Sequence, residues 1–452
     1  MYTLCINNGL VIDPETETAR IASVGVENGR IAALSDTPLE AEMQLNAAGH
    51  VVCPGFIDVH GHVDNVTAYP DHEACARLSL LQGVTTMVSG NCGLSVPDVA
   101  EFFRKMDQGY PFHHAELIGG STLRRMAGAT DIYTPATDEQ IARTCELARQ
   151  ALEQGAAGIS FGLGYTPGTA LKEVYALARV AKEFGRLITV DTRMRDDYDL
   201  SSLADVIQVA RDTGVRALVS HLVYQYGECV MEESLQMLDK ARAEGLDIWA
   251  DSGMYVDWAT TIGSECFRES YVFAHKDLLP DLLVATGKYA GQRLNDRLYH
   301  EMRAHLPKET VIRITGADAS IPIAFTRRYT MPSSDTAPYN PGEGHPQIAG
   351  TFPAFFRMVR TQANLNLCDA VRRCTLLPAQ VMGFDRKGRM AVGADADLVV
   401  FDPKAIRDNA MHVDCGAPDV PPDGVDFVVL DGKLAVRGKT VENARAGRAL
   451  RK

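Results

Sequence analysis

The 452-residue chain predicts an α/β fold: a (β/α)8 barrel of TIM type with a small β-sandwich built from both chain ends. Three observations predict it. Beyond residue 52, apolar β-rich segments alternate with amphipathic helical stretches, one pair about every thirty residues, which is the length of a βα unit. A glycine closes most of the helical stretches, as C′ glycines do. Residues 1–52 and 388–452 share short strands and tight turns that the middle of the chain lacks.

In order, the N-terminal part alternates through Leu10-Val11-Ile12-Asp13 and again over 24–31, where Asn28-Gly29 marks a hairpin turn. The first barrel strand is expected at 56–59, entered through a Pro54-Gly55 turn and leading into His60-Gly61-His62. Further strands are expected at 85–89, 115–118, 157–161, 187–190, 217–220 and 246–250, with 330–334 as the eighth. Gly83, Gly155, Gly185, Gly214 and Gly245 stand where the intervening helices should end. The clearest helix covers 137–155: Thr137 and Gln140 form a capping box, and Ile141, Cys145, Ala148 and Leu152 share a face. About eighty residues separate the seventh strand from the eighth, far more than a βα connection needs. This stretch holds Tyr255, Trp258, Tyr271, Phe273, Tyr289 and Tyr299 and a further strand at 311–314. It reads as an insertion over the barrel mouth, a lid or a packing element. Asp431-Gly432 marks a second hairpin near the C-terminus. The expected organisation is sandwich at 1–52, barrel at 53–387 with the insertion at 256–328, and the rest of the sandwich at 388–452.

A hydrophobic fraction of 46% and a charged fraction of 23% suit a globular enzyme. The net charge of -13 argues against nucleic acid or an anionic membrane as partner. The chain turns polar within its first residues, and no apolar run is long enough to span a bilayer. The 10 cysteines include no close CxxC pair, which fits reduced thiols and a cytoplasmic location. A small-molecule substrate is therefore expected, and a homo-oligomer stays open.

Barrel enzymes react at the C-terminal ends of their strands. There, His60 and His62 lie two apart and point to one face, and paired neutral imidazoles can hold a divalent metal. Strand two ends in Gly90-Asn91-Cys92-Gly93, strand five in Asp191-Thr192-Arg193-Met194-Arg195, strand six in Ser220-His221, strand eight in Ser333-Ser334-Asp335. Taken singly, Cys92 reads as a small buried apolar residue and His221 as a core histidine. Taken together, nitrogen, sulfur and oxygen donors recur at one end of a closed barrel, as a divalent site with an open position requires.

Pro54-Gly55-Phe56-Ile57-Asp58 with His60 and His62 resembles the strand-one motif of the amidohydrolase superfamily. Gly83-Val84-Thr85-Thr86, Gly90-Asn91-Cys92-Gly93, Ser121-Thr122-Leu123-Arg124, Ser334-Asp335, His345-Pro346 and Gly350-Thr351-Phe352-Pro353 narrow the resemblance to the D-aminoacylase (N-acyl-D-amino-acid deacylase) branch. It runs essentially end to end. The resemblance implies zinc, one ion or two, with Cys92 and His221 on the tightly held ion and His60, His62 and Asp335 on a weaker site. It also implies Asp335 as general base and Tyr165 in contact with substrate. No lysine stands on strand four, so the Cys92 thiolate would do the bridging that a carboxylated lysine does in many relatives.

The chain departs from that pattern at several positions. Arg193 stands where the branch has a zinc-binding histidine, and an always-protonated guanidinium cannot ligate a metal. Asp191, two residues earlier on the same strand face, is the candidate replacement. Gly120 replaces a second histidine, and Val223 and Gln347 replace two basic residues that hold a substrate carboxylate in relatives. Arg193 and Arg195 are candidates for a different anion clamp, or for ion pairs with Asp196 or Asp197. The implied function is metal-assisted hydrolysis of a non-peptide C–N amide bond, as N-acyl-D-amino acid deacylation or a close variant. Two other readings stay open: a cyclic-amide hydrolase of hydantoinase or dihydroorotase type, motivated by the lost clamp, and a non-catalytic binding protein, motivated by Arg193 and Gly120.

Overall fold

Strands covered on both faces need continuous apolar sequence, and eight such segments form a parallel ring. The computed structural model describes residues 1–64, 73–193, 199–227, 230–274, 276–315, 319–362 and 365–452. Its barrel strands are Phe56–Asp58, Val84–Ser89, His113–Glu116 with Ile118–Gly119, Gly158–Gly162, Leu187–Asp191, Arg216–Val219, Ile248–Ser252 and Thr330–Pro332. Each pairs in parallel with the next, the third being interrupted at Leu117. The ring closes between the eighth strand and the first: the Asp335 N–H donates to the His60 carbonyl at 2.9 Å, and the His62 N–H to the Thr336 carbonyl at 2.7 Å. Three candidate site residues therefore sit on the closing seam.

The helices obey their caps. Thr137 and Gln140 make both bonds of the capping box at the start of Asp138–Glu153. That helix buries Thr144, Ala148, Ala151 and Leu152, whereas Ile141 and Cys145 are only half-buried, so its inner face is turned from the expected one. Gly214 ends the Ser201–Thr213 helix at φ 63, in the left-handed region where a side chain would be strained.

Strands from both ends of the chain join in one nine-stranded sheet. Asn28-Gly29 and Asp431-Gly432 all have positive φ, as the two-residue turns of type I′ hairpins require. Ile6, Val24, Val26 and Val52 pack with Leu398, Val400 and Val429 in a core separate from that of the barrel. Val51–Pro54 joins the halves, pairing with Leu10 and Val11 on one side and Leu398–Phe401 on the other. Pro54 thus ends a strand of this sheet instead of forming an entry turn. Gly55 alone carries the chain into the barrel, where a Cβ would lie 2.1 Å from Thr85 Oγ1.

Between the seventh and eighth strands, Trp258–Thr261, Leu282–Val284 and Thr310–Arg313 form a small antiparallel sheet. It has its own core, including Phe267, Leu298, Tyr299 and Met302. The strand expected at 311–314 lies one residue earlier. The strand expected at 246–250 lies two residues later, which brings Asp251 to the barrel mouth. No helix among the described residues is long and apolar enough to cross a membrane.

Candidate metal centre

Six side chains from five strand ends converge at the mouth. His60, His62, Cys92 and Asp335 form one set, and His60, Cys92, Asp191 and His221 another; within each set the ligand atoms all lie within 4.8 Å of one another. His60 and Cys92 belong to both. Cys92 Sγ is 3.4 Å from Nε2 of His60 and 3.4 Å from Nε2 of His62. Asp335 Oδ1 lies 3.0 Å from His62 Nε2 and 3.5 Å from His60 Nε2. His221 Nε2 lies 3.4 Å from Asp191 Oδ2.

The backbone bends sharply to achieve this. Cys92, His221 and Asp335 have φ of 54, 33 and 51, so three of the seven described non-glycine residues with positive φ are here. Each such residue costs on the order of 1–3 kcal/mol, and strain of this kind collects at sites where side-chain aim matters. Gly162 makes room for the bend: a Cβ there would meet the Cys92 carbonyl oxygen at 2.1 Å.

The electrostatics call for a cation. Burial would raise the Asp191 carboxyl, but the charges of His221, whose Nε2 is 3.4 Å from Oδ2, and of His60 hold it well below the usual carboxylate range. Asp335 is lowered in the same way against its burial, chiefly by His62 and His60. Burial would lower His60, yet Asp251, Asp335 and Asp191 push it up to about 9. Burial, Asp191 and Asp335 push the Cys92 thiol up. Both Asp191 oxygens are buried without a hydrogen-bond partner. Orphaned buried carboxylate oxygens are costly unless a cation takes them up. Imidazole, thiolate and carboxylate donors around one point fit zinc.

A third cluster, Asp257, His345 and His412, has the same kinds of atom within the same distance. There the hydrogen bonds decide against a metal. His345 Nδ1 accepts the Gln347 backbone N–H at 3.1 Å, so its proton is on Nε2, which donates to Asp257 Oδ2 at 2.9 Å. A nitrogen that carries a proton has no lone pair for a metal. His412 Nε2 bonds the same carboxylate oxygen.

A small pocket opens beside three of the six side chains. Asp191, His221 and Asp335 form its floor, and Tyr165, Tyr224 and Trp258 are among its walls. Tyr165 is among the lining residues. Arg193 is not: its guanidinium donates to the Leu163, Pro167 and Thr169 carbonyls, holding the loop that carries Tyr165. Backbone acceptors thus take up much of its fork, which weighs against the anion-clamp reading of Arg193. Arg195, with Asp196 and Asp197, lies outside the described residues. Gln347 donates to the Asp335 carbonyl at 2.5 Å and accepts from Tyr224 Oη at 2.9 Å, so it supports the site's backbone. Sequence reasoning missed Asp251, Tyr224 and Trp258's place in the wall. Extending the seventh strand by two residues would have found the first of these.

A family model described as "Amidohydrolase family" matches residues 317–436. N-acyl-D-glutamate deacylase of Alcaligenes xylosoxydans xylosoxydans is 31% identical, over 99% of this chain and 96% of the relative. The structure of N-acyl-D-glutamate deacylase from Bordetella bronchiseptica, complexed with zinc and a phosphonate mimic of the tetrahedral intermediate, superposes with a TM-score of 0.88 at 29% identity, covering 100% of both chains. A D-aminoacylase structure concerned with the role of its binuclear metal centre gives a TM-score of 0.87 at 26% identity, again covering 100% of both.

Proposed function

The chain belongs to the amidohydrolase family, in its N-acyl-D-amino-acid deacylase branch, and from that membership we propose how its residues work. The protein is a zinc-dependent hydrolase of non-peptide C–N amide bonds, acting on an N-acyl-D-amino acid or a close variant. The linear-amide reading is preferred to the cyclic one because the deacylases matched end to end are about 30% identical, whereas hydantoinase structures matched over the same length are below 20%.

In this reading Cys92, Asp191 and His221, with His60, would hold one zinc ion, and His62 and Asp335 would complete a second position that shares His60 and Cys92. Zinc held by these residues would supply Lewis-acid polarisation of the scissile carbonyl and a water whose pKa is lowered from ~16 to ~7. Asp335 takes the proton of the attacking water and returns it to the departing nitrogen, serving as base and then as acid. His62, 3.0 Å from Asp335 Oδ1, keeps that carboxylate ionised until it is needed. Gln347, bonded to the Asp335 carbonyl, steadies the left-handed backbone beneath it. Tyr165 and Trp258 flank the substrate and keep water out. Trp258 and Cys266, both from the 256–328 insertion, line the cavity, which supports a lid role for that segment. We also assign the enzyme to the cytoplasm.

The observation that carries this reading is the sharing of His60 and Cys92 between two four-residue ligand sets around one cavity. The test is amine release from a panel of N-acetyl-D-amino acids, their L-enantiomers and hydantoins, with zinc-loaded protein. Turnover confined to D-configured linear amides is expected. Turnover of hydantoins alone, or of nothing in the panel, would overturn the assignment.

A further inference from the structure

The seventh barrel strand supplies no ligand to either set, yet Asp251, near its end, touches the ends of three other strands. Its carboxylate is fully buried. Oδ1 accepts the His221 backbone N–H at 2.9 Å and the Ser333 hydroxyl at 2.6 Å. Oδ2 has no hydrogen-bond partner and lies 3.8 Å from Nδ1 of His60, which has none either. Two orphaned buried polar atoms thus face each other, an arrangement that burial makes costly unless they bond. Closing the gap by about 1 Å gives an ordinary N–H···O bond.

We propose that Asp251 is a positioning residue: it fixes the proton of His60 on Nδ1 and holds the strand ends bearing His221 and Asp335 around the metal. The proposal rests on the metal-site reading above. A neutral imidazole carries one proton, so a proton on Nδ1 leaves the Nε2 lone pair free. Nε2 is the atom that faces Cys92 Sγ at 3.4 Å and Asp335 Oδ1 at 3.5 Å. A carboxylate behind a metal-binding histidine does this in many zinc sites. The Oδ1 bonds serve the same end. One secures the N–H of His221, whose φ of 33 needs support, and the other holds Ser333, two residues before Asp335. The Asp58 carboxylate acts on the seam differently, accepting the backbone N–H of His60 at 3.2 Å and of Ser334 at 3.1 Å, and leaving the ring to Asp251.

Asp251→Asn separates this role from a merely structural one. The carboxamide oxygen can keep both Oδ1 bonds, because its amino group would clash with the His221 N–H if the side chain flipped. The amino group then faces His60 Nδ1, demands a lone pair there and drives the proton to Nε2. The experiment combines zinc affinity by competition with a chelating dye, the visible spectrum of the cobalt-substituted protein, and histidine 15N NMR with His60 assigned by substitution. D251N should keep its thermal midpoint within a few degrees, bind zinc about 10–100-fold more weakly and show an altered cobalt spectrum. In the zinc-loaded wild type His60 should carry its proton on Nδ1. Wild-type zinc affinity and cobalt spectrum in D251N would overturn the proposal, and so would a His60 protonated on Nε2 in the zinc-loaded wild type, which decides the matter even if D251N does not fold. Wild type that binds zinc but cleaves no amide would refute the proposed function and leave this inference standing.

Discussion

Replacing Asp335 by Asn isolates the proton-transfer step. The backbone there has φ 51, a left-handed conformation that Asn tolerates better than most residues, so the exchange adds little strain. Oδ1 sits 3.0 Å from His62 Nε2, and a carboxamide of the same shape can present its oxygen at that position. The variant therefore loses the ability to take a proton while keeping its shape. A positioned general acid–base is worth about 10²–10⁴ in rate, or roughly 3–5.5 kcal/mol at 1.36 kcal/mol per decade. The assay is kcat for amine release from the best N-acyl-D-amino acid, on protein whose zinc content is measured in the same sample. D335N should keep the zinc ion held by Cys92, Asp191, His221 and His60 and turn over at least about a hundredfold more slowly. Turnover within about threefold of wild type with that ion in place would refute the reasoning and remove Asp335 as the base.

Three further substitutions probe the surrounding structure. His114 is fully buried among the Phe102, Tyr110 and Phe112 rings, and burial pulls its pKa down to about 3. The unfolded chain binds that proton below about pH 6.5 while the folded one does not, so stability should fall by about 1.4 kcal/mol per pH unit from there toward about pH 3. His114→Gln should remove that share of the slope in urea titrations at pH 6 and pH 4; an unchanged slope would contradict the burial argument. Arg193→Met should cost about 2–4 kcal/mol in the same assay, since three half-buried charge-assisted hydrogen bonds are lost, and should raise KM alike for charged and neutral substrates. A KM rise confined to anionic substrates would restore Arg193 as a clamp. Gly162→Ala drives a methyl group into the Cys92 carbonyl and should lower zinc content along with the thermal midpoint; a variant with full zinc would show that the Cys92 turn has slack.

Much of the site was legible because its residues lie next to strong local signals. His60 and His62 follow an apolar strand directly, and Cys92, His221 and Asp335 follow β-rich runs whose rhythm places them all at one end of the barrel. What could not be read is how the chain bends there. A non-glycine residue in the left-handed region has no compositional mark, and only the neighbouring Gly90 and Gly93 hint at the Cys92 turn. Asp251 escaped notice because the apolar run stops at Ala250, whereas the ladder goes on by pairing Asp251 with Met331 and Ser252 with Pro332. Register, a long-range property, set that boundary. Arg193 misled for a similar reason: the carbonyls that occupy it belong to a loop well upstream, and nothing near it in sequence announces them. The end sheet was easier, since Asn28-Gly29 and Asp431-Gly432 specify their own turns locally.

The central claim is that Cys92 and Asp191, from separate strands, hold zinc together despite the arginine at position 193. The measurement that tests it most directly is elemental analysis of protein purified without added metal, for wild type, Cys92→Ala and Asp191→Ala side by side. The account predicts close to stoichiometric zinc in the wild type and a marked fall in each variant with the fold retained. A folded wild type that takes up no zinc even when it is supplied, or an Asp191→Ala variant with undiminished zinc, would contradict it.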